Sequence, residues 1–484
     1  MATLRLPQCA PRVRVGAADA SLTGVSGMVA VSELLARLNV VRELDRAVGR
    51  VKARDRGPSA GQVLVGIAAA QLAGEDFLVG LDRHRADVAG QALTPVPGLA
   101  ATTAAGVARR CSDEQWLAVE TGIAVVHERM LGMLPEQRVD ALCAEATIDL
   151  DTTDVEVYGR QKRGVAYNHQ GQRVGRPHVA VWAEPICALA ADLMSGRQDP
   201  RSSAAGLLRR AHGALPARVR AGKVRMRADA GYFAGELALA AHALGVGFAI
   251  GAKRMANLWR LLDGIVTEAW TPAIDMPAAE VAVSGYRPKN WPPGTRLLIR
   301  RVRLTPDQIS VDPRSRRRRT LHPDQRALPF EDLAGADAIY GYSFILTDLD
   351  VSTPELAAQV EGWYRHRTII ENVFRDAKHG AGLRHLPSGY EQVNRAWMWG
   401  ALIAASTAGW LHQLTGVLGE HGRLSGWGTR GGQAMIATLR QRLICVPARL
   451  IHHARALTLR LPPGRDGLLP VVLARIRALP AAAG

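Results

Sequence analysis

Through most of the first 145 positions, apolar residues recur three and four apart, the spacing of helices that bury one face. Ser32 to Val48 reads as one such helix, and Ser59 precedes a long apolar-periodic stretch from Gln62 to Leu81. After a short Ala/Thr helix carrying Arg109 and Arg110, Ser112-Asp-Glu-Gln115 forms a capping box that opens a helix running to about Leu134. The texture changes at Ala146. Ala146 to Tyr158, Pro177 to Ala183 and Ile186 to Leu193 have the β-branched, alternating character of an antiparallel meander. A helix from Ser202 to Leu215, a strand from Val224 to Ala228, a helix after Gly231 and a strand from Gly247 to Gly251 follow. From Met255 to Tyr342 this regularity is lost. Trp259, Trp270 and Trp291 lie there among prolines with a β-rich run from Arg296 to Leu304, which predicts an inserted, mostly β subdomain. A strand from Tyr342 to Leu346 then leads into a helix capped by Ser352, with Glu355 three residues on and Pro354 in the first turn. The pattern predicts an α/β chain: a helical region (1–145), a mixed-sheet core in two parts (146–254 and 342–390) interrupted by a β-rich insertion (255–341), and a basic, mainly helical tail (391–484).

Composition narrows the partner. A chain of 484 residues with 48% hydrophobic content builds large cores in two to four domains, which excludes wholesale disorder. Of its 61 basic residues 55 are Arg, and the 44 acids leave a formal charge of +17. Codon bias accounts for Arg over Lys but not for the excess of positive charge, so a polyanionic partner is expected. Residues 391–484 hold eleven Arg, no Lys and three acids, making the tail the strongest basic region. The five cysteines are scattered and nowhere spaced as CxxC, which argues against a disulfide framework or a zinc site. The first 16 residues lack the apolar core of a signal peptide, and the most hydrophobic stretch, Ala396 to Leu411, is too short to span a bilayer. A soluble, cytoplasmic protein without membrane partners is the expectation.

Three constellations carry chemistry. In Ile148-Asp149-Leu150-Asp151-Thr152-Thr153, strand alternation puts both carboxylates on one face; the bland alternative is an exposed face. Asp229 ends a strand just before a Gly-initiated turn, a common place for Asp. The sharpest is Tyr364-x₂-Arg367-x₃-Glu371-x₆-Lys378, read as lying on the helix begun at Ser352. There Tyr364, Glu371 and Lys378 share a stripe and Arg367 stands one turn before Glu371. A salt bridge and a core tyrosine explain any two of these residues, but not all four in a basic protein. Phosphodiester chemistry explains the three constellations together: two hard divalent cations need carboxylate oxygens, and neighbouring cations hold the adjacent phosphates. Arg316 to Arg319 reads as a solvated loop or a phosphate contact, and His178 as structural or as a group supporting the site.

With its spacing Tyr-(2)-Arg-(3)-Glu-(6)-Lys, the chain resembles DDE transposases of bacterial insertion sequences. The resemblance is strongest from Ala146 to Gly389 and extends to Leu439-Arg-Gln-Arg-Leu443 and Val446-Pro-Ala-Arg449. It implies an RNase H-like core. Asp151, in an Asp-Thr-Thr setting, Asp229 and Glu371 would be the catalytic acids that hold two Mg²⁺ ions (Mn²⁺ a possible substitute), while Tyr364, Arg367 and Lys378 would bind DNA. Asp149 remains an alternative to Asp151 as first acid. The 142 residues between Asp229 and Glu371 match a branch that carries a β-rich insertion there. The implied partners are double-stranded DNA, as inverted repeats and target, and a second copy in a synaptic assembly. Two other readings remain: a nuclease without strand transfer, and a non-catalytic DNA-binding derivative.

Overall fold

The computed structural model describes residues 15–54, 56–312, 314–315, 317–336, 338–416, 429–430, 433–465 and 467–480. Residues 1–14, Arg316 and residues 417–428 lie outside them.

The chain starts with a two-residue strand, β1 (Leu22–Thr23), then α1 (Met28–Arg37), α2 (Val40–Val48) and α3 (Ala60–Ala73). The single helix expected from Ser32 to Val48 is two, because Asn39 takes a left-handed backbone at φ 54° that no α-helix contains. Ser59 caps α3 with Gln62 in a capping box, but the helix ends at Ala73, where left-handed Gly74 turns the chain well short of Leu81. The Ser112 capping box opens α4 (Asp113–Gly132) as its sequence requires.

The central layer is a mixed sheet of eleven strands. Its first part holds β2 (Glu145–Thr152), β3 (Val155–Glu156), β4 (Ala166–Tyr167), β5 (Arg173–Trp182) and β6 (Cys187–Ser195). After α5 (Arg201–Ala214) come β7 (Lys223–Ala228), α6 (Gly235–Ala243) and β8 (Gly247–Ala252). β2, β7 and β8 are parallel neighbours, while β5 flanks β2 antiparallel. The β-rich stretch inserted between β8 and the strand that follows it continues this sheet. β9 (Thr271–Pro272), β10 (Ala279–Ser284) and β11 (Arg296–Leu304) reach the core through β12 (Ile339–Thr347), which pairs antiparallel with β8. Leu297, Leu298 and Ile299 of β11 are all fully buried, so this strand is covered on both faces, which a strand inside a larger sheet allows and an isolated hairpin does not. Trp259, Trp270 and Trp291 are all buried in this region.

Beyond β12 the chain forms α7 (Pro354–Arg365), α8 (Thr368–Gly380) and the long α9 (Glu391–Thr415). Nearly every residue of α9 is buried, which accounts for its hydrophobic character without a membrane; among the described residues no helix is long and apolar enough to cross one. It packs between α3 and β6. Gly400 has no side chain because a Cβ there would stand 2.4 Å from Ile67 Cγ2, Gln71 Nε2 donates to the Trp397 carbonyl at 3.2 Å, and Ala188 N donates to Ser406 Oγ at 3.0 Å.

The tail adds strands to its helices. β13 (Ala448–His453) and β14 (Ala456–Arg460) form a hairpin, and β1 adds to it antiparallel, before α10 (Leu468–Arg477) closes the chain. Ser26 Oγ donates to the Val446 carbonyl at 2.7 Å, fastening the two ends together. Several tail arginines serve this closure. Arg440 donates to the carbonyls of Gln71 and Leu72 at 2.8 Å and to that of Gly380, and Arg477 pairs with Glu33.

Candidate active site

Parallel pairing sets two acids side by side. Asp149 lies opposite Arg227 and Leu150 opposite Ala228, so Asp151 and Asp229 leave the carboxyl ends of adjacent strands together. That end of a parallel sheet is where side chains can converge without disturbing the ladder. Asp229 also starts the next turn, its Oδ1 accepting from Gly231 N at 2.8 Å.

The third acid arrives differently from expectation. Thr353, not Ser352, caps α7, its hydroxyl accepting from Leu356 N at 3.3 Å. The helix then ends at Arg365 and a new one starts at Thr368, so Tyr364 and Glu371 do not share one stripe. The break has a cause in tertiary contact. The Trp363 carbonyl, which would accept from Arg367 in a continued helix, takes a hydrogen bond from the Arg227 guanidinium and one from His366 N at 3.2 Å, while Arg367 N turns to Tyr364 O. This turn points the Arg367 side chain at the strand ends. Its guanidinium bridges two acids, with Nη1 3.0 Å from Asp151 Oδ2 and Nη2 2.8 Å from Glu371 Oε1.

Burial and the neighbouring Asp229 carboxylate push the Asp151 carboxyl up to about 7, against the pull of Arg367. Glu371 is half exposed and Asp151 is 14% exposed, so the site opens to solvent on the helix side. Carboxylates crowded in this way, with oxygen donors only, suit a hard divalent cation. They are not gathered for one as they stand: among the described residues no three acids, histidines or cysteines are close enough to hold a metal, and Arg367 lies between two of the acids.

Tyr364 and Lys378 turn their polar ends inward. Tyr364 Oη donates to the Ala228 carbonyl at 3.2 Å, and burial raises the phenol to about 12. Lys378 Nζ donates to the Asp154 carbonyl at 2.8 Å. The two candidates for first acid differ sharply in environment. Asp149 is fully buried and gripped by Arg227 through Nε at 2.6 Å and Nη2 at 2.8 Å, whereas Asp151 faces Asp229, Arg367 and Glu371. The strand face carrying both is covered by α7 and α8 rather than exposed. His178 is buried with Nδ1 3.3 Å from Ser203 Oγ, and burial lowers its pKa to about 4. Arg318 is buried and donates to the Leu328 carbonyl, so the arginine run is not uniformly a solvated loop.

Two residues at the site were not anticipated. Arg227 is the more legible of them: a charge facing inward in Val224-Arg-Met-Arg-Ala228, two positions before an acid, repeats the placement of Asp149 two positions before Asp151. Tyr232 gave no such sign. Its ring is buried 5.6 Å from that of His178, its hydroxyl has no hydrogen-bond partner among the described residues, and burial followed by the nearby Asp151 and Asp229 carboxylates raises its pKa.

The fold is mixed α/β around one large mixed sheet, with Asp151 and Asp229 at the carboxyl ends of its parallel strands and Glu371 reaching Asp151 through Arg367. Residues 7–311 match the model of the family described as transposase DDE domain, group 1, a span that contains Asp151 and Asp229 and ends before Glu371. The chain belongs to that family. No curated protein matches the sequence. Among solved structures, the chain is similar to piggyBac transposase in a cryo-EM structure of its synaptic complex with hairpin DNA, at 10% identity and a TM-score of 0.36 over 79% of this chain and 76% of that one.

Proposed function

We propose that this chain is the transposase of an insertion sequence, with an RNase H-like catalytic core that cleaves DNA at terminal inverted repeats and joins the freed ends to target DNA. The observation that supports it most is the bridging of Asp151 and Glu371 by Arg367, with Asp229 leaving the neighbouring strand end, in a member of a DDE transposase family. In the first step a water oxygen bonds to phosphorus and the bridging 3′ oxygen leaves as a 3′-OH, with a 5′-phosphate on the flank. In the second that 3′-OH bonds to a target phosphorus and displaces a target 3′ oxygen. Two Mg²⁺ ions, for which Mn²⁺ can substitute, would be held by Asp151, Asp229 and Glu371 and would supply activation of the attacking oxygen and charge neutralisation at the leaving one.

The chain's own groups orient the DNA. Arg367 is positioned to exchange a carboxylate for a phosphate: a phosphate drawing the guanidinium outward would free Asp151 and Glu371 together. Tyr364 and Lys378 are proposed to contact DNA from the same wall; as arranged, they also fix the backbone at Ala228 and Asp154, beside the first two acids. Two copies would pair two DNA ends.

The test incubates the purified full chain with linear DNA bearing candidate ends and a target plasmid, in Mg²⁺ or EDTA, beside Glu371→Gln. Metal-dependent joined products that vanish in the variant are the expected result. Hydrolysis without joining, with two ends supplied, would assign the chain to the nucleases, and tight binding with no strand breakage would make it a DNA-binding derivative.

A further inference from the structure

The grip of Arg227 on Asp149 lies where the three acid-bearing segments meet, and no step of the proposed chemistry uses it. Asp149 is fully buried and Arg227 only 2% exposed. A buried ion pair is a weak source of stability, because the desolvation of both charges offsets their attraction, and well-packed apolar side chains often serve as well. The position of this one suggests a different purpose.

We infer that Arg227 is a positioning residue that holds the three acids in mutual register. It lies two residues before Asp229 on β7 and grips Asp149, two residues before Asp151 on β2; on a strand each of these steps covers about 7 Å on the same face. Its remaining amine, Nη1, donates to the Trp363 carbonyl at the end of α7, one turn before Arg367 and two turns before Glu371. One planar, delocalised cation therefore spans all three segments, which an ammonium could not do. Trp363 is fixed from the same side: its Nε1 donates to Thr147 Oγ1 on β2 at 3.1 Å, and the Arg225 and Arg227 guanidinia lie 4.3 and 5.1 Å from its ring. The same hydrogen bond to Trp363 ends α7 and so aims Arg367 at the acids.

The inference rests on the proposed role of the three acids, and the experiment separates the two. Parent, Arg227→Met/Asp149→Leu and Arg227→Lys full chains are compared for urea unfolding, for Mn²⁺ affinity by electron paramagnetic resonance, and for single-turnover cleavage of end DNA. The apolar pair is expected to unfold at nearly the parental urea concentration, yet to bind Mn²⁺ and cleave about 10- to 100-fold less well, the usual cost of losing a group that orients metal ligands. Arg227→Lys, which keeps the charge but cannot reach Asp149 and Trp363 together, is expected to show losses of the same kind; it also decides the matter should the apolar pair not fold. A folded variant that binds Mn²⁺ and cleaves like the parent overturns the inference and leaves the proposed function intact. A parent that binds Mn²⁺ but never cleaves removes the proposed function, and the Mn²⁺ comparison still decides the role of Arg227. A parent that does neither removes both.

Discussion

Asp151→Asn should make the protein more stable, by an amount that depends on pH. In the fold the Asp151 carboxyl is driven from its ordinary 3.8 to about 7, first by burial and then by Asp229. Between those values the folded chain holds a proton that the unfolded chain has released. Stability therefore falls as pH rises from about 4 to about 7 and is level above that. A displacement of this size corresponds to roughly 4 kcal/mol, and sharing of the proton among neighbouring carboxylates lowers the expected figure to about 2 to 4 kcal/mol. Asparagine carries no charge and keeps one side-chain oxygen, which can accept either from Thr152 N, as Asp151 Oδ1 now does at 2.8 Å, or from Arg367, as Oδ2 now does; losing the other contact is a cost that does not vary with pH. In EDTA the variant should thus gain on the parent steadily between pH 5 and pH 7 and hold the gain at pH 8. Urea unfolding of both proteins across that range measures it, and the difference between the two curves cancels the titrating groups that are not coupled to Asp151. A difference that stays flat with pH, or a parent that gains on the variant as pH rises, would refute the argument that carboxylate crowding loads this site.

Gly251→Ala should disturb the same site from below, since its Cβ would sit 2.7 Å from both Ala230 N and Tyr364 Oη and 3.1 Å from the Asp229 carbonyl carbon. Overpacking against backbone is expected to cost about 1 to 3 kcal/mol in urea unfolding and to slow cleavage about 100-fold, because shifts of an ångström matter to reacting geometry. Arg440→Met removes a cation from three carbonyl acceptors and is expected to destabilise by about 3 kcal/mol or more, while DNA affinity measured on the folded fraction stays parental. DNA affinity of the parent should fall by roughly 10³ to 10⁵ between 50 and 200 mM salt if six to ten phosphates are contacted, as filter binding would show; a shallow slope would contradict the polyanion reading of the +17 charge.

Local signals in the sequence were dependable where one element determined its own ends. The Ser59 and Ser112 capping boxes, the strands either side of Asp229 and the span Arg296–Leu304 all follow from side chains within a few residues. Failures came where a distant partner decided. No periodicity in residues 354–380 announces that Arg227, far away in sequence, takes the Trp363 carbonyl and breaks the helix there. Nor does a β-rich insertion reveal whether it forms its own sheet or pairs with an existing edge, as β11 does with β12. The charge of the tail is silent on this for the same reason: composition counts arginines but does not show that Arg440 and Arg477 are held by partners in the first 80 residues. At the site, spacing alone singled out Arg367 and Glu371, while the contrast between Asp149 and Asp151 depends on what covers the strand.

The clasp between the two ends of the chain bears on how the protein is made. Ser26 and Val446 are 420 residues apart, so at about 5 to 20 residues per second a ribosome needs roughly 20 to 80 s after making the first before the second exists. During that interval α3, whose surface is apolar almost all round, lacks the α9 that covers it. A nascent chain of this design depends on prolonged shelter from its neighbours, and a message truncated before α9 would yield a polypeptide suited to aggregation or proteolysis rather than a smaller working protein.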